Sequence, residues 1–382
     1  MSERETTRRS PLHPQDSGIA AAEIMHTPQV RARTAISMVI ACCNESKHVR
    51  AFVDSLLAQD LAAFDWEIII ADGASTDGTR QVLQEYARRD PRIMVMDNPA
   101  RIVSSGLNAA IRAARGEIIL RMDAHTEYAP DYVRACVEAL EKTAADNVGG
   151  PARTKAEGLL PRAIQAAYHS RFSTGGARFH DDNYSGYVDT VPYGCWRKET
   201  LLKLGLFDEE LVRNQDDEFN LRLTRAGGKI WQSSEIVSWY RPRTTLSDLF
   251  RQYFQYGFWK VRVIRKHRVP GSWRHLIPAA FIAANFTLFL ATAVAAIFGD
   301  VTLARKFLFA WAALLALYVA ALLVASCFSS RRFGWRLLPY LPAAFAAFHF
   351  SYGLGFLAGS LYWTFARRTR TRLGDFFVGV TR

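Results

Sequence analysis

Three acidic clusters carry what chemistry this chain can do. Asp72 ends the apolar run Glu67-Ile-Ile-Ile-Ala71 and opens Asp72-Gly73-Ala74-Ser75-Thr76-Asp77-Gly78-Thr79. Asp123 and His125 end a second run that begins at Glu117, and Asp216, Asp217 and Glu218 follow Asn214-Gln215. Side chains alternate along an extended strand end, so Asp123 and His125, two apart, can point the same way and share one divalent cation. The competing reading is a strand cap facing solvent, since Asp and His are ordinary loop residues. Asp72 is equally suited to accepting turn hydrogen bonds, and any of Asp216, Asp217 and Glu218 could be the N-cap of a following helix.

The elements that must position these groups follow from hydrophobic patterning. Residues 35–41 read as a buried strand, and Val49, Phe52, Val53, Leu56 and Leu57 fall at helical spacing behind them. The cycle repeats with the strand at 67–71 and a helix carrying Val82, Leu83 and Tyr86, then with a strand at 92–96 and a helix over about 104–114, before the strand that ends at Asp123. Such repeats predict an α/β domain with a doubly wound, mostly parallel sheet, whose ligands bind at the carboxyl ends of the strands. Asp72 and Asp123 both fall there. The stretch 147–193 is rich in Gly and polar residues, and only 188–191 reads as a strand.

Composition divides the 382 residues into unlike parts. Residues 1–33 are polar and lack an apolar segment, which predicts a disordered tail rather than a signal peptide. Residues 34–245 hold the α/β pattern. Residues 246–275 are basic and amphipathic, with apolar positions from Leu246 to Ile264 interleaved with Arg251, Lys260 and Arg262; this is the pattern of a helix lying in a membrane interface. Nine Lys or Arg fall between Arg241 and Arg274 against Asp248 alone, so the net charge of +12 points to anionic lipid rather than nucleic acid. Leu276 to Phe298 and Phe307 to Phe328 are uncharged and long enough to cross a bilayer. The rest of the 276–366 region is less clear, because Leu337 to Ala366 carries Pro339, Pro342, His349 and several glycines and so crosses, kinks or re-enters. A basic tail, 367–382, closes the chain. The five cysteines show no paired spacing, which argues against a disulfide framework or zinc knuckle. A transporter is disfavoured, since the apolar segments lack charges and inverted repeats.

Residues 36–240 resemble the catalytic domain of family 2 glycosyltransferases, which has the nucleotide-sugar fold called GT-A. The motif from Glu67 to Thr79 is similar to the family's first acidic motif. Asp123-Ala-His125 occupies its D-x-D position, and Asp216-Asp-Glu218-Phe-Asn-Leu-Arg222 resembles its base-bearing helix start. The resemblance implies an inverting transfer with Asp216 as general base. It also implies Asp72, Glu45, Asp123 and Asn108 at the nucleotide sugar, and a divalent cation, Mn2+ or Mg2+, held by Asp123 and His125. Two positions depart from the pattern: Gly73 stands where many members have a second Asp, and His125 where they have the last Asp. The departures motivate an alternative, a catalytically degenerate transferase fold kept as a scaffold in a membrane polysaccharide-assembly complex.

A narrower resemblance, to the succinoglycan-type ExoA glucosyltransferases, rests on Arg121-Met-Asp-Ala-His-Thr126, Asp146-Asn-Val-Gly-Gly-Pro151, Asp189-Thr190, Asn214-Gln-Asp-Asp-Glu218 and Arg251-Gln-Tyr-Phe-Gln-Tyr-Gly257. It implies glucose transfer from UDP-glucose to a polyprenyl-diphosphate-linked sugar in exopolysaccharide assembly. The setting would be the bacterial inner membrane, with the catalytic domain in the cytosol. Arg251, Gln255, Trp259 and Lys260 are then expected at the acceptor and membrane face. Gln255-Tyr-Gly-Phe-Trp259 has the spacing of the Q-x-x-R-W motif of polysaccharide synthases but carries Phe258 for Arg, which argues against a processive polymerase.

Overall fold

The computed structural model describes residues 33–270 and 272–365. The predicted N-terminal tail, but for Arg33, and the basic tail at 367–382 lie outside the described residues.

The first half is built by repetition. Strand β1 (Thr34–Cys42) leads through α1 (Val49–Leu57) to β2 (Phe64–Asp72), then through α2 (Thr79–Arg89) to β3 (Ile93–Asp97), and α3 (Val103–Ala113) returns the chain to β4 (Ile118–Met122). β2 and β4 flank β1 in parallel, with Asp72 opposite Cys42 and Met122 opposite Ile40. The strand order therefore reverses at β1, and the carboxyl ends of β2 and β4 finish level at one edge. Both faces of these strands are covered, which is why they read as continuous apolar runs. Met38, Ile40, Ile68, Ile70 and Leu120 pack with Val53, Leu56, Val133 and Val137 on one side. Val39, Ile69 and Ile119 pack with Leu107, Ile111, Trp196 and Phe219 on the other.

Beyond β4 the elements shorten: β5 (Thr126–Tyr128), α4 (Tyr132–Lys142), β6 (Asn147–Gly149), β7 (Arg153–Thr154), α5 (Leu159–Tyr168), α6 (Arg171–Thr174), β8 (Gly186–Val188), β9 (Cys195–Arg197), α7 (Lys198–Lys203), α8 (Gln215–Arg225), β10 (Ile230–Gln232) and β11 (Ser238–Tyr240). The main sheet runs β3-β2-β1-β4-β9-β6-β10-β8, with β9 antiparallel to both β4 and β6, and a second sheet runs β5-β11-β7. Strands of two or three residues are too short to show a period, so most of 147–193 is legible only once β4 supplies an edge to pair with.

Four helices complete the described chain: α9 (Leu246–His267), α10 (Ile277–Ile297), α11 (Val301–Phe333) and α12 (Leu341–Phe365). By length and composition α10, α11 and α12 can each cross a membrane, but only 6% of the most apolar stretch of α10 or α11 is buried within the protein, against 44% for α12. α10 and α11 thus present apolar surface such as Phe286, Ile297, Phe309 and Phe328 outward, while Trp311 of α11 donates to Asn285 of α10 at 3.1 Å.

The apolar side of 246–275 has a partner within the protein. Leu249, Phe258, Trp259, Val261 and Val263 of α9 are buried, because α12 lies along this face. Glycines let the two backbones touch: a Cβ on Gly257 would stand 2.1 Å from the Tyr352 carbonyl oxygen, and one on Gly355 2.0 Å from that of Phe254. The basic side of α9 is occupied as well. Lys260 pairs with Asp217, Arg262 with Glu210 at 2.6 Å and Lys266 with Asp208 at 2.5 Å. With Arg274 on Asp189, four of the nine cations between Arg241 and Arg274 are thus paired with acids of the α/β domain.

Candidate active site

A cavity of about 1750 Å³ opens at the carboxyl edge of β1 and β4. Glu45, Asn98, Asp123 and His125 line its sheet end, Asp216, Asp217 and Lys260 its middle, and Phe281, Leu314, Leu317 and Phe348 its far end among α10, α11 and α12. One continuous space thus joins polar strand ends to apolar helices.

Asp123 is fixed from two directions. Its backbone N–H donates to the Tyr128 phenol oxygen at 2.7 Å, and its carboxylate accepts from the His125 backbone N–H at 3.0 Å. The His125 imidazole turns to Glu45, with Nε2 2.7 Å from Oε1. That hydrogen bond, against the opposing pull of burial, raises the imidazole above its ordinary pKa. Among the described residues no three His, Cys, Asp or Glu side chains converge as a ready-made metal nest. The donor set still fits a cation that arrives with a diphosphate, which brings most of the oxygens itself. Asp123 would supply a carboxylate. His125, its Nε2 held by a carboxylate as metal-bound histidines commonly are, keeps Nδ1 as the nitrogen to offer.

The three successive acids at the start of α8 are drawn to different partners. Arg121 of β4 donates to Asp216, Lys260 of α9 donates to Asp217, and Glu218 is held by Arg222 at 2.8 Å and by His267 at 2.8 Å. Burial acts to raise the Asp217 carboxyl, but the Lys260 charge overcomes it and the net shift is downward. Glu218 is fully buried and does not line the cavity, whereas Asp216 and Asp217 do. The helix-capping alternative is not realised: the N-cap is Asn214, in the left-handed region at φ 63°, with no side-chain cap. Asn214 instead donates to the Tyr256 carbonyl at 2.9 Å, tying the α8 entry to α9.

Asp72 and Asn108 stand behind the cavity wall rather than in it. Asp72 is fully buried, accepts from Ser75 Oγ at 2.6 Å and lies 3.2 Å from Arg80, so it holds the turn after β2, the alternative its motif had allowed. Asn108 donates to the Phe207 carbonyl and to Glu209, each at 2.8 Å. The expected acceptor face divides similarly. Lys260 lines the cavity, Gln255 accepts from Arg213 at 3.1 Å, Arg251 is exposed, and Trp259 is buried with Leu211 and Val263. Gly73 has a steric cause: a Cβ there would lie 2.9 Å from that of Cys43. Burial pushes the Cys42 thiol up, which suits a small core residue, but Cys43 is exposed at the cavity.

Sequence reasoning overlooked Arg121, Arg213 and Tyr193. Arg121 had a signal, a charge inside an otherwise apolar run. Tyr193 had none: it takes φ 60°, unusual for a bulky residue, and bonds Thr126 within the cavity wall.

Comparison with known proteins agrees with this geometry. The model of Glycosyl transferase family 2 matches residues 37–197. The succinoglycan biosynthesis protein ExoA of Rhizobium meliloti (strain 1021) is 33% identical over 260 residues, spanning 68% of this chain and 78% of that protein. A dolichyl N-acetyl-alpha-D-glucosaminyl phosphate 3-beta-D-2,3-diacetamido-2,3-dideoxy-beta-D-glucuronosyltransferase of Methanococcus voltae is 28% identical over 255 residues, spanning 65% of this chain and 78% of its own. Among solved structures, the mannosyltransferase PcManGT from Pyrobaculum calidifontis, in complex with GDP-Man and Mn2+, shares the fold with a TM-score of 0.53 and 22% identity over 83% of this chain and 87% of that one. The chain belongs to the family 2 glycosyltransferases and has their GT-A fold, with apolar helices appended.

Proposed function

We propose that this glycosyltransferase is an inverting, membrane-anchored hexosyltransferase that moves glucose from UDP-glucose to a polyprenyl-diphosphate-linked sugar during exopolysaccharide assembly. Its α/β domain would lie on the cytosolic side of the bacterial inner membrane. The observation that carries the reading is the single cavity running from Asp123 and Asp216 to Phe281, Leu314, Leu317 and Phe348. A nucleotide sugar suits its polar end, and an acceptor with a hydrocarbon tail suits its apolar end. The choice of glucose, of the lipid diphosphate and of the pathway leans on the similarity to the succinoglycan protein.

In this scheme Asp216 takes the proton of the acceptor hydroxyl as that oxygen bonds to the anomeric carbon. The bond from that carbon to the diphosphate breaks on the opposite face, and its electron pair leaves with the diphosphate. A divalent cation, when bound, offsets the charge of that leaving group. Asp123 and His125 are the residues that would hold it, while Tyr128 and Glu45 hold Asp123 and His125 in place.

The test offers a panel of nucleotide sugars to membranes carrying the protein, with an extracted lipid fraction and mass analysis of the products. Asp216→Asn should lower transfer by roughly 100-fold or more while calorimetric binding of UDP with Mn2+ persists. Unchanged turnover would remove Asp216 from the base role. Loss of metal-dependent UDP binding in folded wild-type protein would turn the reading to the scaffold alternative.

A further inference from the structure

Resting on the reading of Asp216 as base, we infer that Arg121 is the residue that positions it, fixing where the carboxylate stands. β4 is buried at all five positions, and four of them are apolar. Arg121 is the exception, its side chain only 7% exposed. A guanidinium in such a place is costly unless an acid meets it. The acid is Asp216, which accepts from Nη1 while remaining 34% exposed toward the cavity. Burial works to lower the Arg121 pKa, but the Asp216 charge and hydrogen bond reverse the effect, and the guanidinium stays charged throughout any working range.

The two partners differ in how firmly they are held. Arg121 lies mid-sheet, opposite Val39 of β1, with its N–H bonded to the Gly194 carbonyl at 3.1 Å. Asp216 sits on the first turn of a helix entered through a left-handed residue. The sheet is thus the reference frame, and Arg121 transmits it to the helix. Because Asp123 directly follows β4, the same strand sets the distance between the donor's diphosphate edge and the proton acceptor. A buried ion pair adds little net stability over an apolar pair of equal size, so the consequence of this one lies in geometry and charge. Asp217 lines the same cavity but answers to Lys260 of α9, outside the sheet's frame.

The experiment uses the full chain in detergent micelles, with labelled UDP-glucose and an extracted lipid fraction, and compares Arg121→Lys, Arg121→Met and Arg121→Ala with Asp216→Asn. Arg121→Met should lower kcat by roughly 100-fold with KM for the donor nearly unchanged. Arg121→Lys should lose kcat about tenfold, since an ammonium lacks the planar fork. Millimolar guanidinium should restore part of the Arg121→Ala turnover, because the cavity reaches the vacated position. Wild-type kcat in Arg121→Met, alongside an inactive Asp216→Asn, would overturn the inference and leave the base intact. Activity in Asp216→Asn would remove the base reading itself. If the Met and Ala variants do not fold, wild-type kcat in Arg121→Lys is the overturning result.

Discussion

The contact between α9 and α12 offers a sharp test of the architecture, through Gly257→Ala and Gly355→Ala. The new Cβ on Gly257 would lie 2.1 Å from the Tyr352 carbonyl oxygen and 2.9 Å from the Phe356 nitrogen; that on Gly355 would lie 2.0 Å from the Phe254 oxygen. Close carbon–oxygen contacts run at about 3.3 Å or more, so the helices must part by roughly 1.2 Å. The obstacles are backbone atoms, which cannot rotate away, so each variant should lose about 2–3 kcal/mol. At roughly 2–4 °C per kcal/mol this lowers Tm by about 5–10 °C. The two losses should not add, because once the helices have separated the second methyl enters for less. Tryptophan emission is the natural probe, since the Trp259 and Trp363 rings lie 5.7 Å apart across this interface. Turnover should fall too, because α9 holds Asn214 and Asp217, and a misplacement of about 1 Å at a catalytic group costs on the order of 100-fold. Leu354→Ala, at an exposed position of α12, serves as the control and should stay within about 0.5 kcal/mol of wild type. Wild-type melting and turnover in Gly257→Ala would refute the backbone contact between α9 and α12.

Two further outcomes follow from the site. His125 should titrate above its ordinary value of about 6.5, and Glu45→Gln should bring its midpoint down, as read from the imidazole proton resonances. A raised folded pKa means that the Glu45–His125 contact contributes fully below the unfolded value and is lost as pH rises through the folded one; an unchanged midpoint in Glu45→Gln would dismiss the hydrogen bond as its cause. Glu218→Gln leaves Arg222 without its carboxylate in a buried site and should cost about 3–5 kcal/mol in thermal unfolding, whereas a near-neutral result would show that the brace between α8 and α9 is dispensable.

The chain's local patterns determined a good deal. Apolar runs alternating with amphipathic segments specified β1 to β4 and α1 to α3 and placed Asp123 at a binding edge, because both periods are written in contiguous residues. Uncharged length marked α10 and α11 for the same reason. Contacts between distant segments could not be read that way. Asp216, Asp217 and Glu218 are adjacent and chemically alike, and only the arrival of Arg121 from the sheet, Lys260 from α9 and His267 from the end of α9 gives them separate roles. Asp72 and Asn108 are polar residues near the right edge, yet the turn after β2 and the loop at Phe207 claim their hydrogen bonds. An amphipathic helix reports that it has an apolar face but not what covers it; for α9 the cover is α12, admitted by glycines a hundred residues away. Sequence periodicity records which way side chains point, while burial and ion pairing depend on what the rest of the chain brings to meet them.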